Sequence, residues 1–381
     1  MKLLISLLSA LVLSQSVLAE PQAKPAQPGL KQAYASHFLI GTALSQGQIE
    51  GQDQAALAAR EVVQQHFNAL TAENVMKWEE LQPAEGQFNF GPADALLRLA
   101  KQNNASLIGH TLMWHQQTPA WVFTGPDGKP ASKALVLQRL TSHINQVMGR
   151  YKGQVKGWDV LNEALNEDGT LRDSPWRQIL GDDYIATVYQ LAHAADPAAE
   201  LYYNDYNMNN PEKRQGAIRI VQQLQKAGIP ISGIGMQGHY GLDYPDLQQV
   251  EDSIVAFAAT GVQVMITELD ITVLPRVDDK AIGADISLNQ QLQQQFNPYS
   301  QGLPAEVAAL QQERFSGLFR IFLRHSDKIS RVTLWGVNDQ QSWRNDWPMR
   351  GRTDYALLFD RQNQPKAVVN ALLQLAAEAT R

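Results

Sequence analysis

Eight times along this chain a short apolar run ends in a cluster of polar side chains, and helical patterns fill the gaps between the runs. The runs are 38–43, 66–70, 106–111, 155–161, 200–203, 231–236, 264–268 and 331–336. Their length and β-branched content are those of buried strands. The helical patterns cover 52–65, 92–102, 132–150, 183–195, 245–259, 304–325 and 365–377. Another begins at Asn210-Pro211-Glu212, an N-cap, a proline at the first helical position and an acid in the first turn. Its apolar stripe is Ala217, Ile220, Val221 and Leu224, and Gly228 stops it. Alternating β and α units predict a parallel sheet. Eight of them, with polar residues massed after the strands, predict a single-domain α/β protein, a closed (β/α)8 TIM barrel whose site lies at the C-terminal face of the strands. An open doubly wound sheet is the alternative, but no glycine-rich phosphate loop follows the first run.

The ends of the chain and one internal stretch stand outside this rhythm. Lys2, the apolar run Leu3 to Leu13 and the small residues up to Ala19 read as a signal peptide over 1–19. Secretion is therefore expected, either to the extracellular medium or to a periplasm. Residues 20–30 are Pro-rich and polar, the composition of a short disordered leader, which leaves 31–381 for the barrel. Residues 276–303 combine a charged stretch with a Gln-rich one and read as an insertion between a strand and a helix. Such a loop either borders the site or is merely solvated. There are no cysteines, so disulfides are excluded. The formal net charge is −6, without basic clusters. That composition disfavours nucleic acid and anionic membranes as partners and suits a neutral substrate. A monomer is expected.

The chemistry concentrates at the strand ends. Glu163 follows the fourth run, in KGWDVLNE, and Glu268 closes the seventh, in VMITELD. A glutamate at a strand end, taken alone, is more often a solvated or ion-paired residue than a catalyst. These two stand in matching positions among amides, histidines, a lysine and several indoles. Indole faces stack on the apolar face of a pyranose, and amides and carboxylates take its hydroxyls. Glycosidic cleavage needs two carboxyls, one to protonate the leaving oxygen and one to attack or to activate water. At a spacing of about 5.5 Å the outcome is retention through a covalent glycosyl-enzyme. Two charges at that spacing repel by about 3 kcal/mol at an effective dielectric of about 20, enough to keep one of the pair protonated near neutrality. Glu163 is assigned as general acid/base and Glu268 as the ionised nucleophile, with His239 as the cation-capable neighbour that keeps Glu268 charged. Taken singly, His110 and Trp335 are better read as core residues, and Trp78, Trp121, Trp158 and Trp176 are assigned to the core or the rim. The spacing of His110 and His115 matches no metal motif, and no metal is expected.

Seven segments in chain order, FNALTAENVMKWEELQPAEGQFNF, GHTLMWHQQTPAWV, WDVLNEALNEDGTLRDSPW, YYNDYN, GIGMQGHY, VMITELDI and TLWGVNDQQSWR, resemble the glycoside hydrolase family 10 endo-β-1,4-xylanases. The likeness spans roughly 35–375. It implies a (β/α)8 barrel that hydrolyses internal bonds of xylan and xylo-oligosaccharides with retention and without a cofactor. It carries the acid/base onto Glu163 and the nucleophile onto Glu268. It implies that Glu73, Asn74 and Lys77 bind sugar on the non-reducing side of the cut, and that His110 and Trp114 wall the cleavage subsite, with Gln117 reaching one sugar further. It gives Asn162 the 2-hydroxyl of the attacked sugar, places Gln237 and His239 at the same subsite, and has His239 link Glu268 to Asp270. Trp335 and Trp343 resemble the indoles that roof the cleft, and Tyr206 and Asn207 resemble leaving-group-side contacts. Two rivals stand beside it, a retaining barrel hydrolase for cellulose or mannan and an inactive xylan-binding barrel.

Overall fold

The computed structural model describes residues 28–277 and 294–379. Residues 1–19, expected to form a signal peptide, and most of the leader lie outside the described residues. The leader was expected to run through Leu30, but Leu30 opens a helical turn, Leu30–Ala33, and is fully buried. Its amide donates to His66 Nδ1 and Gly29 is the N-cap of the turn, so the fold begins by Gly29, two residues earlier than the Pro-rich composition implies.

The strands are β1 (Leu39–Leu44), β2 (Ala69–Ala72), β3 (Ser106–Met113), β4 (Gly157–Asn162), β5 (Glu200–Asp205), β6 (Gly233–Met236), β7 (His239–Gly241), β8 (Gln263–Thr272) and β9 (Ile329–Leu334). All pairings are parallel. Each barrel strand pairs with its sequence neighbours, β6 pairs with β8, and β9 returns to β1, so eight strands close a barrel. The short β7 lies beyond β6 and pairs with the far end of β8, opposite His239 and Asp270. Helices Gln54–His66, Gly91–Gln102, Lys133–Tyr151, Tyr184–Ala195, Pro211–Lys226, Leu247–Ala258, Ala305–Arg324 and Ala367–Ala379 form the outer layer.

Local signals set several of these ends. Asp53 and Ser132 accept hydrogen bonds from Ala56 and Leu135 amides and so cap their helices. Asn210 accepts from the Glu212 amide, and Gly228 takes a positive φ just beyond Lys226. The second strand was expected at 66–70. It starts at Ala69 because His66 belongs to the preceding helix, whose last turn packs inward. The seventh expected strand runs on to Thr272, so Glu268 and Asp270 sit within β8 rather than after it.

Side chains fill the barrel in layers. Ile108, Tyr202 and Met265 form the lower one. Level with them in register, the Arg331 guanidinium lies 4.9 Å from the Tyr202 ring, and His110 Nδ1 lies 2.8 Å from Asp159 Oδ2. The last part of the expected insertion is packed, not merely solvated. Phe296 and Asn297 are buried, Asn297 Nδ2 donates to the Gly351 carbonyl, and Arg352 ties Phe296 O to Pro275 O. Residues 278–293 of that insertion lie outside the described residues.

Candidate active site

A cavity of about 650 Å³ opens at the C-terminal mouth of the barrel. Glu73, Asn74, Lys77, His110, Trp114, Gln117, Asn162, Glu163, Tyr206, Asn207, Gln237, His239, Glu268, Trp335 and Trp343 all line it. Asp270 stands behind them, fully buried. These residues come from the ends of seven strands that are far apart in sequence, and only barrel closure brings them to one mouth.

The backbone departs from regular strand where the chemistry gathers. Glu163 has φ +55°, Gln117 +44° and Asn207 +50°, all in the left-handed region that long side chains rarely occupy. Because Glu163 turns this way, it and its neighbour Asn162 face the same cavity. Its peptide is clamped on both sides, with its N–H donating to Asn204 O at 2.9 Å and its carbonyl accepting from Arg172 Nε at 3.1 Å. On β8 a register shift between Ile266 and Leu269 breaks the two-residue alternation. Thr267 and Glu268 consequently both reach Asn204. Thr267 Oγ1 donates to Asn204 Oδ1 at 2.6 Å, and Asn204 Nδ2 donates to Glu268 Oε1 at 2.8 Å. Gly235 on β6 gives Asn204 this room, since a Cβ there would sit 2.5 Å from Asn204 Oδ1.

The two carboxylates have different partners. Glu163 accepts only neutral donors: Gln237 Nε2 on Oε1 and Trp114 Nε1 on Oε2, both at 2.9 Å. Asn162 Nδ2 stands 3.4 Å from the same Oε1. Glu268 meets a cation. His239 Nε2 lies 3.1 Å from Glu268 Oε2, and His239 Nδ1 lies 3.0 Å from Asp270 Oδ2. Burial by itself lowers the His239 pKa, but Asp270 and then Glu268 outweigh it and hold the ring up at about 9. Burial likewise works to raise Glu268, yet the His239 hydrogen bond, His110 and Asn204 carry it below the ordinary carboxylate value. Asp270 is in turn fixed by Arg344 Nε at 2.7 Å and Trp343 Nε1 at 2.7 Å. The chain Trp343–Asp270–His239–Glu268 thus ties a roof indole to a floor carboxylate.

On the β2 and β3 side, Lys77 Nζ donates to Asn74 Oδ1 at 2.9 Å and Gln117 Oε1 at 2.7 Å and lies 4.9 Å from the Trp114 ring. Burial lowers its pKa, against the pull of Glu268, Glu73, Glu163 and Glu79. An ammonium with two protons engaged has a third free for a ligand oxygen. On the β5 side, Arg172 Nη2 donates to the Tyr206 hydroxyl at 3.0 Å, and Asn207 Nδ2 donates to Glu167 at 3.3 Å. Trp335 meets the His110 ring edge-on at 5.4 Å.

The sequence profile described as glycosyl hydrolase family 10 matches residues 29–375. The chain belongs to this family. The endo-1,4-beta-xylanase A of Xylanibacter ruminicola is 42% identical over 349 residues, 92% of this chain and 94% of that protein. Among solved structures, a family 10 endoxylanase from a sugarcane soil metagenome superposes with a TM-score of 0.85 at 40% identity, covering 91% of this chain and 99% of its own. An intracellular xylanase of Thermoanaerobacterium saccharolyticum, solved as a variant with xylotriose, gives a TM-score of 0.78 at 35% identity, covering 92% of this chain and 99% of its own.

This family 10 cavity has further lining residues outside the set assigned from sequence: His115, Gln116, Arg172 and Trp347. Asn204, Thr267 and Arg344 support it from behind. Asn204 stands at a strand end in the polar cluster YYNDYN, which is the signal that could have found it. Trp347 carries no positional signal, because it lies thirteen residues beyond the end of β9 in an irregular loop. The four tryptophans assigned to core or rim do not line the main cavity; Trp78, Trp158 and Trp176 are buried, and Trp121 is half-buried.

Proposed function

We propose that this family 10 chain is a retaining endo-1,4-β-xylanase in which Glu163 is the general acid/base and Glu268 the nucleophile. The observation that carries the assignment is the unequal surroundings of the two carboxylates in one cavity. His239, a cation below pH about 9, stands against Glu268 and favours its ionised form. Among the described residues the hydrogen-bond donors to the Glu163 carboxylate are the neutral Trp114, Gln237 and Asn162 side chains. In the first step Glu268 bonds to the anomeric carbon while Glu163 gives its proton to the departing glycosidic oxygen. In the second, Glu163 takes a proton from water, the water oxygen bonds to the anomeric carbon, and Glu268 is released as a carboxylate. Asn162 reaches the same space from the Asn204 amide, which fits a contact to the 2-hydroxyl that tightens in the transition state.

The deciding experiment is a chromatographic time course on β-1,4-xylan, with Glu268→Ala as control. An early ladder of xylo-oligosaccharides, absent in the control, is the expected result. A single short product would make the enzyme exo-acting, and product from glucan or mannan alone would overturn the substrate. The apolar leader at 1–19 supports export, which N-terminal sequencing of protein from the medium or periplasm checks; light scattering checks the expected monomer.

A further inference from the structure

Trp347 is half exposed, at 51%, and faces the cleft. Among the described residues three other large apolar side chains are about as exposed, Leu57, Val255 and Leu310. Those three sit on outer helices and line no part of the cavity. An indole left in water at the mouth of a binding cleft is the kind of apolar surface that marks a contact site.

Its neighbour explains the direction it takes. Trp343 and Trp347 are stacked, with ring centroids 6.4 Å apart and planes inclined by 30°. Trp343 is locked by its hydrogen bond to Asp270 and its edge contact with His239 at 5.0 Å. Trp347 therefore sets a second cavity-lining indole beside a fixed one, 6.4 Å from it between ring centroids.

The loop that carries it is built rather than loose. Met349, two residues on, is fully buried. The Gly351 amide donates to Asp346 Oδ1 at 2.6 Å, and Arg352 anchors the segment to the carbonyls of Phe296 and Pro275. A ring held in place before the ligand arrives loses little freedom on binding.

We infer that Trp347 is an additional sugar-stacking platform, continuous with Trp343, that binds the xylan backbone one unit beyond the sugars held at the catalytic centre. This rests on the xylanase assignment above. The rival is a purely structural role, in which Trp347 shields Trp343 and acts on catalysis only through it.

The experiment compares kcat/KM of the wild type, Trp347→Ala and Trp347→Phe on an aryl xylobioside and on undecorated xylohexaose. For Trp347→Ala the loss on xylohexaose is expected to exceed the loss on the short substrate by about ten-fold, the usual scale for truncating one aromatic anchor. Trp347→Phe, which keeps a flat ring, should recover part of it. Equal losses on both substrates, no loss on either, or no recovery with phenylalanine would each overturn the platform. A wild type that cleaves neither substrate would overturn the xylanase assignment and the platform with it, whereas an active wild type with an unaffected Trp347→Ala would overturn the platform alone.

Discussion

His239 Nε2 and Glu268 Oε2 stand 3.1 Å apart at the floor of the cleft, with Asp270 against the far nitrogen of the ring at 3.0 Å. A cation held between two buried carboxylates lets both stay charged without water. It also makes the nucleophile sensitive to the protonation of its neighbour.

That sensitivity has a defined pH window. The folded pKa of His239, about 9, lies above its ordinary value of 6.5. Its contribution to stability is therefore complete below about 6.5 and disappears as pH rises through about 9. The melting temperature of the wild type should fall between these limits, and that slope should flatten in His239→Gln. An unchanged slope in the variant would mean that His239 does not carry the proton.

The two catalytic carboxylates should fail differently. Glu163→Ala is expected to lose about 10²–10⁴-fold on xylan, the usual share of general acid catalysis. It should lose far less on an aryl xylobioside whose leaving group needs no proton. Glu268→Ala should lose both activities, since no bond to the anomeric carbon can form. Kinetics on the two substrates check the roles, and parallel losses in Glu163→Ala would refute its assignment.

Lys77→Met removes the donor shared by Asn74 Oδ1 and Gln117 Oε1 at the partly buried cleft wall. An unsatisfied buried partner costs about 1–3 kcal/mol. A loss of roughly ten- to hundred-fold in kcat/KM is expected. A contact made equally before and during reaction shows as a rise in KM, which steady-state kinetics reads directly.

Lys213 and Asp205 form a fully buried ion pair at 3.0 Å, with Lys213 Nζ also 3.4 Å from the Tyr206 ring centroid. Burial lifts Asp205 to about 6 despite Lys213. Lys213→Met should therefore destabilise by about 3–5 kcal/mol, the cost of an unpaired buried charge. Adding Asp205→Asn should restore part of it. A carboxyl raised in the fold stabilises it below its unfolded value and loses that contribution as pH rises through about 6. The deficit of Lys213→Met should accordingly shrink below about pH 6, as urea denaturation at two pH values would show.

Much of the barrel was legible in the sequence because strand and helix periods are local. The run before Glu268 is apolar and β-branched, and the Asn210-Pro211-Glu212 start and Gly228 stop follow from φ preferences and a missing N–H. The errors fell where neighbours outweigh local pattern. His66 was assigned to a strand because its context is apolar, but the ring packs inward as the end of a helix and its Nδ1 faces the Leu30 amide. Leu30 was assigned to the leader because prolines precede it, yet its side chain is covered by the folded barrel.

Sequence by itself determined the order of the elements, the polar residues at each strand end and the two glutamates among them, since each depends on side chains adjacent in the chain. Tertiary structure decided how those residues face one another. The left-handed turn at Glu163 and the register shift that sends both Thr267 and Glu268 to Asn204 arise from strands meeting across the barrel mouth. No local period encodes them, because a backbone held off its preferred conformation persists only when surrounding contacts from distant segments hold it there.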